Sequence, residues 1–158
     1  RESLAKALEG LREMKVREGQ AMQNDIQERL SSCANILNTI ETLSLDEPGR
    51  CRERLQDRLS QLNEGSKLNP ERLEQEIALL ADRLDISEEV VRFRTHLEHM
   101  NDILVQSEVG KKAEFLMQEL NREVNTIASK SSHAGISQAS VEIKSELEKV
   151  REQLQNIE

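Results

Sequence analysis

The chain has no tryptophan and no tyrosine, and its two aromatic residues are Phe93 and Phe115. β-Sandwiches and barrels lean on aromatic and β-branched side chains to fill a pleated, half-buried surface, so composition disfavours that class. Two prolines and six glycines leave few points where a helix must break, which favours long helices. No stretch approaches the roughly 18 consecutive apolar residues of a membrane-spanning helix. No secretory leader is visible either. The two cysteines, Cys33 and Cys51, form neither a disulfide framework nor a CxxC pair. That removes support for zinc-finger and thioredoxin chemistry and suits reduced thiols in a cytoplasmic protein. An initiator methionine is also missing: Arg1 falls inside a helical pattern, and the sequence reads as a piece of a longer protein.

What the chain does have is charge and helical periodicity. Charged residues make up 33% of it and hydrophobic residues 36%, with a net charge of −8. This is enough apolar surface for helix stripes but thin for a thick globular core. The negative balance disfavours a simple nucleic-acid coat, which rests on clustered Lys and Arg. Residues 91–130 are nevertheless balanced in charge, and their cations can gather on one face. An acidic total also suits a site in which carboxylates hold a divalent cation.

Six helices are expected. Met22, Ile26, Leu30, Cys33, Leu37 and Ile40 step by three and four and form one stripe of a long first helix. Leu4, Leu8 and Leu11 extend the rhythm upstream, with Gly19 marking a close contact or slight kink. Asp46-Glu47-Pro48-Gly49 should stop it. A second helix over 50–62 turns Leu55, Leu59 and Leu62 inward and ends at Gly65 and Ser66. A third opens at Asn69-Pro70, a cap followed by a first-turn proline, and carries Leu73, Ile77, Leu80 and Leu84. Asp85 and Glu88 resemble a capping box for a fourth, with Val90, Phe93, Leu97, Met100 and Leu104. A fifth runs over 111–127 with Leu116, Leu120, Val124 and Ile127. After a small polar loop over 129–135, the last helix shows a heptad seam: Ile136, Ser140, Ile143, Leu147, Val150, Leu154 and Ile157. The fold class is therefore all-α, an antiparallel bundle with a long helical hairpin arm. Residues 1–70 are expected to form the arm and 71–158 a C-terminal helical domain.

Most catalytic signatures are absent: there is no Walker A loop, GxGxxG, HExxH or GxSxG. Three constellations remain. His96 and His99 lie near one helix face, but a zinc site wants further ligands. His96 alone suits proton transfer, because imidazole titrates near neutral pH. Glu119 and Glu123 lie one turn apart beside Arg122, with Asn121 and Asn125 also four apart; hard cations prefer such oxygen ligands, and Arg122 can grip a phosphate in bidentate fashion. The third group is basic: Lys111 and Lys112 after Gly110, Lys130, and Arg50, Arg52, Arg54 and Arg58. The arginines are interleaved with Glu53 and Asp57, which makes ion pairing their expected role. By periodicity alone each constellation also reads as a solvated polar face.

The segment Gly110-Lys111-Lys112-Ala113-Glu114-Phe115-Leu116-Met117-Gln118-Glu119-Leu120-Asn121-Arg122-Glu123-Val124-Asn125-Thr126-Ile127-Ala128-Ser129-Lys130 closely resembles the signature of the YicC/YloC family of bacterial proteins. Residues 142–158 resemble that family's carboxyl terminus. Arg72 to Glu76, Leu79 to Ala81, Glu88-Glu89 with Arg92 and His96, and Arg17-Glu18-Gly19 match further upstream. Lys111-Lys112 stands where arginines are usual, which keeps charge but loses the planar fork; Ala113 replaces a larger apolar residue, and Glu114 an aspartate.

The resemblance implies a stress-induced protein family of metal-dependent endoribonucleases, or factors in RNA decay. It implies a hexamer that encloses RNA, an RNA-decay protein partner, and an N-terminal region absent here. Laid on the matched positions, the chemistry of phosphodiester cleavage assigns Glu119 and Glu123, with Glu76 from the third helix, to a Mn²⁺ or Mg²⁺ ion. It assigns His96 to proton transfer. Lys111, Lys112, Arg122 and Lys130 fall to the RNA phosphates, and Asn121 and Asn125 to RNA oxygens. The rival reading is a helical scaffold or adaptor that binds RNA or a nuclease without cutting. The scarcity of aromatic platforms also argues against base-by-base reading of a single strand.

Overall fold

A computed structural model of the chain describes residues 2–62, 70–105 and 110–156, all in helices or short connections. Six helices follow in order: α1 (Glu2–Ser44), α2 (Glu47–Leu62), α3 (Pro70–Leu84), α4 (Ser87–Val105), α5 (Gly110–Lys130) and α6 (Ala134–Asn156). The expected Asn69 cap and the Gly65–Ser66 stop lie outside the described residues, as does Ile157. α1 stops at Ser44, just before the expected breaker cluster, and α2 begins at Glu47 and takes Pro48 into its first turn, where a missing N–H costs nothing. The α5–α6 loop shrinks from the expected seven residues to Ser131, Ser132 and His133. Gly19 makes no close contact, since a Cβ there would meet nothing within 4 Å.

Four helices close into a ring. α1 packs on α4 and α6, and α5 packs on the same two. Cross-helix bonds fix the directions. Gln23 donates to the Leu104 carbonyl at 3.0 Å, while Arg94 reaches Asn38 and Glu41, so α1 and α4 run antiparallel. Arg29 meets Glu146 at 2.9 Å, and a Cβ on Gly135 would lie 3.1 Å from Leu43, so α1 and α6 do too. Every ring neighbour is therefore antiparallel, as in an up-down bundle. The core holds Ile26, Leu30, Cys33, Leu37 and Ile40 from α1, Phe93 and Met100 from α4, Leu120, Val124 and Ile127 from α5, and Ile136, Ile143, Leu147 and Val150 from α6. The Ser140 break in the last seam is satisfied internally, its hydroxyl donating to the Ile136 carbonyl at 2.8 Å. Burial pushes the Cys33 thiol up to about 12, so it stays protonated and has no nucleophilic role.

Outside the ring, α2 pairs with α3, bridged by Arg52 and Glu74 at 2.8 Å. α1 belongs half to the bundle. Its Leu8, Leu11, Met14 and Val16 are each more than half exposed, whereas its stripe from Ile26 to Ile40 is buried. No described helix is long and apolar enough to cross a membrane.

Candidate active site

α4 and α5 lie antiparallel, and their seam gathers polar groups that neither helix displays alone. The start of α4 is set by Asp85, whose carboxylate accepts the Ser87 N–H at 2.8 Å. Those Ser87 hydrogen bonds, helped by nearby Lys130, hold the Asp85 carboxyl below its ordinary range. Glu88, the expected other half of a capping box, turns instead to Arg92 one turn along.

From there the seam ascends. Lys130 at the end of α5 grips Glu89 at 2.7 Å and the Asp85 carbonyl at 2.9 Å. Next, Arg92 stands 4.0 Å from Glu123. One turn further, His96 of α4 faces Glu119 and Glu123 of α5. One potential ligand atom from each lies within 4.8 Å of the other two. Glu119 is flanked by Arg122 at 3.6 Å. The i, i+4 spacing of Glu119 and Glu123 places both carboxylates on one face, and the antiparallel approach of α4 adds the imidazole.

Burial makes the cluster unusual. Glu123 is 3% exposed although it is charged, and His96 Nδ1 is buried with no hydrogen-bond partner among the described residues. Buried polar atoms in folded proteins are nearly always satisfied, so a buried imidazole nitrogen without a partner among the described residues is a feature that a bound group would explain. One nitrogen and two carboxylate oxygens suit Zn²⁺, Mn²⁺ or a similar divalent cation. The donor set thus fits a metal.

The sequence-based assignments divide accordingly. His96, Glu119 and Glu123 converge. Glu76 does not join them: it is exposed on α3, which packs on α2, and it is corrected out of the cluster. Lys130 is already engaged by Glu89, an ion pair that matching residues in sequence did not reveal. Asn121 turns back to donate to the Met117 carbonyl at 3.0 Å, which leaves it poorly placed to orient RNA. Asn125, Arg122, Lys111 and Lys112 are exposed. His133, left without a role by sequence, accepts the Gly135 N–H at 2.9 Å and caps α6. Sequence reasoning missed Arg92 as a neighbour of the cluster; its position one turn before His96 was the available signal.

One imidazole and two carboxylates, with arginines close by in the seam of an all-α bundle, form a group that could hold a divalent cation. Comparison with known proteins places the chain in a family. The family described as "Endoribonuclease YicC-like, C-terminal" matches residues 40–158. The chain is 46% identical over 154 residues to the "Probable endoribonuclease YicC" of Clostridioides difficile, covering 96% of this chain and 53% of that protein. It is 43% identical over 148 residues to the protein of the same name from Haemophilus influenzae, covering 92% of this chain and 50% of that protein. The chain belongs to the YicC-like family, as the resemblance of its signature segment indicated, and it spans about half the length of these curated relatives.

Proposed function

We propose that the chain is the active-site-bearing part of an endoribonuclease that cleaves RNA phosphodiester bonds with a divalent cation held by His96, Glu119 and Glu123. The observation that carries this reading is the convergence of those three side chains from two helices, together with a buried His96 Nδ1 that has no partner among the described residues. A bound divalent cation supplies Lewis-acid neutralisation of charge building on the phosphate. The protein's own groups do the rest. Glu119 and Glu123 present fixed negative charge inside the seam. Arg92, paired with Glu88 and near Glu123, and Arg122, near Glu119, would offer planar guanidinium donors to phosphate oxygens. Lys111 and Lys112 extend the cationic track along α5. If one nitrogen of His96 is given to a cation, the other carries the N–H and would donate a hydrogen bond that orients a nucleophile or phosphate oxygen.

All of these residues lie within 71–158, so RNA chemistry belongs to that part, with 1–70 in a supporting role. Mn²⁺ or Mg²⁺ as the ion, a cytoplasmic setting, a hexamer in the full-length protein and an RNA-decay partner are parts of the same proposal.

The deciding experiment uses the purified full-length protein and a labelled structured RNA. Cleavage should require Mn²⁺ or Mg²⁺, stop with EDTA and return with added metal. Cleavage that persists in EDTA removes the metal role. Activity that separates from the protein on further purification favours the non-catalytic scaffold, which the helical, aromatic-poor composition also fits.

A further inference from the structure

The α4–α5 seam does not end at the cluster. One turn beyond it, towards the start of α5, a groove of about 470 Å³ opens, lined by His99, Asp102, Ile103, Lys111, Lys112, Phe115 and Leu116. That volume falls in the roughly 300–1,000 Å³ range of small-ligand sites. Its register follows from the cluster. Phe115 precedes Glu119 by four residues and His99 follows His96 by three, so groove and cluster share one face of each helix. The step along α5 is about 6 Å, within reach of a single nucleotide.

The groove is mainly apolar, with Lys111 and Lys112 outnumbering the one acidic lining residue, Asp102. Phe115, Leu116 and Ile103 give it an apolar floor, and Phe115 is 58% exposed although it is one of two aromatic residues in the chain. The other, Phe93, is fully buried in the core. Lys111 and Lys112 form a cationic edge at the N-terminal end of α5, where the helix dipole is also positive. An apolar ring with a positive edge complements one class of group closely: a flat nucleobase attached to a phosphate backbone.

We propose that this groove is a nucleobase subsite, in which one unpaired base of an RNA strand stacks on Phe115 next to the phosphate bound at the His96–Glu119–Glu123 cluster. The proposal rests on the RNA-cleavage reading and extends it: the enzyme would prefer an unstacked nucleotide beside the cut, as in a loop or bulge. It also qualifies the expectation of no aromatic platform, since one exposed ring at the right turn of one helix is enough for one base.

The test uses the full-length protein and a single-stranded RNA with one defined cut, prepared with an abasic nucleotide at each position around the cut in turn. With wild-type protein, one abasic position next to the cut should raise KM about tenfold, in line with the loss of one stacked base. Phe115→Ala should raise KM for the intact RNA to a similar degree, lose the penalty at that one position, and leave kcat nearly unchanged; Phe115→Tyr should restore wild-type behaviour. An unchanged KM for Phe115→Ala, or an abasic penalty that persists in it, overturns the subsite while leaving the cleavage reading intact. If wild-type protein fails to cleave but binds RNA with the same Phe115-dependent abasic penalty in metal-free anisotropy, the cleavage reading falls and the subsite stands. A change of oligomeric state in Phe115→Ala would instead make the ring a contact between copies and overturn the proposal.

Discussion

In the bundle, α6 carries Ile136, Ile143, Leu147 and Val150 to full burial. In the α2–α3 hairpin, α3 repeats the same period with Leu73, Ile77, Leu80 and Leu84, yet Ile77 alone is buried. The first helix holds the same contrast within itself, exposed from Leu8 to Val16 and buried from Ile26 to Ile40. Equal amphipathicity therefore yields unequal structure, because a stripe is buried only where a neighbour is close enough to cover it. The bundle offers each helix two neighbours and the hairpin offers one. The His96–Glu119–Glu123 cluster sits on the better-supported side, in the α4–α5 seam, where rigid elements can hold a buried carboxylate and imidazole at fixed separation.

The contrast breaks most sharply under a buried charge. Leu147→Asp should unfold the bundle, at a cost of about 4 kcal/mol or more, because the carboxylate meets no partner there. Ile77→Asp should loosen the hairpin and leave the main melting transition of the bundle in place. Thermal circular dichroism on both variants decides this; a Leu147→Asp protein that melts like wild type would remove α6 from the core.

Next in size is the effect on chemistry. Outer-shell partners of metal ligands are worth roughly 10–100-fold in affinity or activity, so a direct ligand should be worth at least as much. Glu119→Gln and Glu123→Gln should each keep helicity and oligomeric state, lose more than about tenfold of Mn²⁺-dependent cleavage, and recover in part with excess Mn²⁺ by mass action. Full activity with unchanged metal dependence in both would take the cluster out of the mechanism.

How far sequence alone carries follows from the same contrast. Periodicity located all six helices and nearly every core residue of the bundle, because apolar spacing is a property of each helix. The resemblance set Glu119 and Glu123, with Glu76, on a cation and gave His96 to proton transfer; in the structure His96, Glu119 and Glu123 lie together. What sequence lacked was the identity of neighbours. Nothing in the spacing of Leu8 and Leu11 reveals that this part of α1 finds no cover, and nothing local to Lys130 says that Glu89, forty-one residues earlier, takes its charge. Glu76 matched the family pattern yet sits on the hairpin, away from the seam. The buried state of Glu123 and the open ring of Phe115 depend on where α4 falls, which is tertiary information.

A smaller effect should appear with pH. Lys149 and then Arg29 donate to Glu146 and hold its carboxyl below the ordinary value of 4.5. A depressed folded-state pKa means stability that is whole above the unfolded value and is lost as pH falls through the folded one. The tie between α1 and α6 should therefore be complete at neutral pH and weaken below about pH 4.5. Melting temperature against pH should fall less steeply at acid in Glu146→Gln than in wild type, and parallel curves would show that the pair contributes nothing.

The smallest effect tests the comparison at its surface. Arg29 is three-quarters buried and binds Asp25 and Glu146, both at 2.9 Å. Arg52 reaches Glu74 at 2.8 Å, but both side chains are about half exposed. Distance alone would rank the two arginines equally. Solvent does not, since an exposed pair is screened and must immobilise two long side chains for a modest Coulomb gain. Arg52→Ala should therefore change stability by less than about 1 kcal/mol, and Arg29→Ala by about 1.5 kcal/mol or more, since two charged hydrogen bonds are lost in a drier place. Denaturant melts of the two single variants give the ranking directly. Equal losses would mean that the hairpin ion pair is as well supported as the bundle's, and that the division between the two regions is weaker than their burial implies.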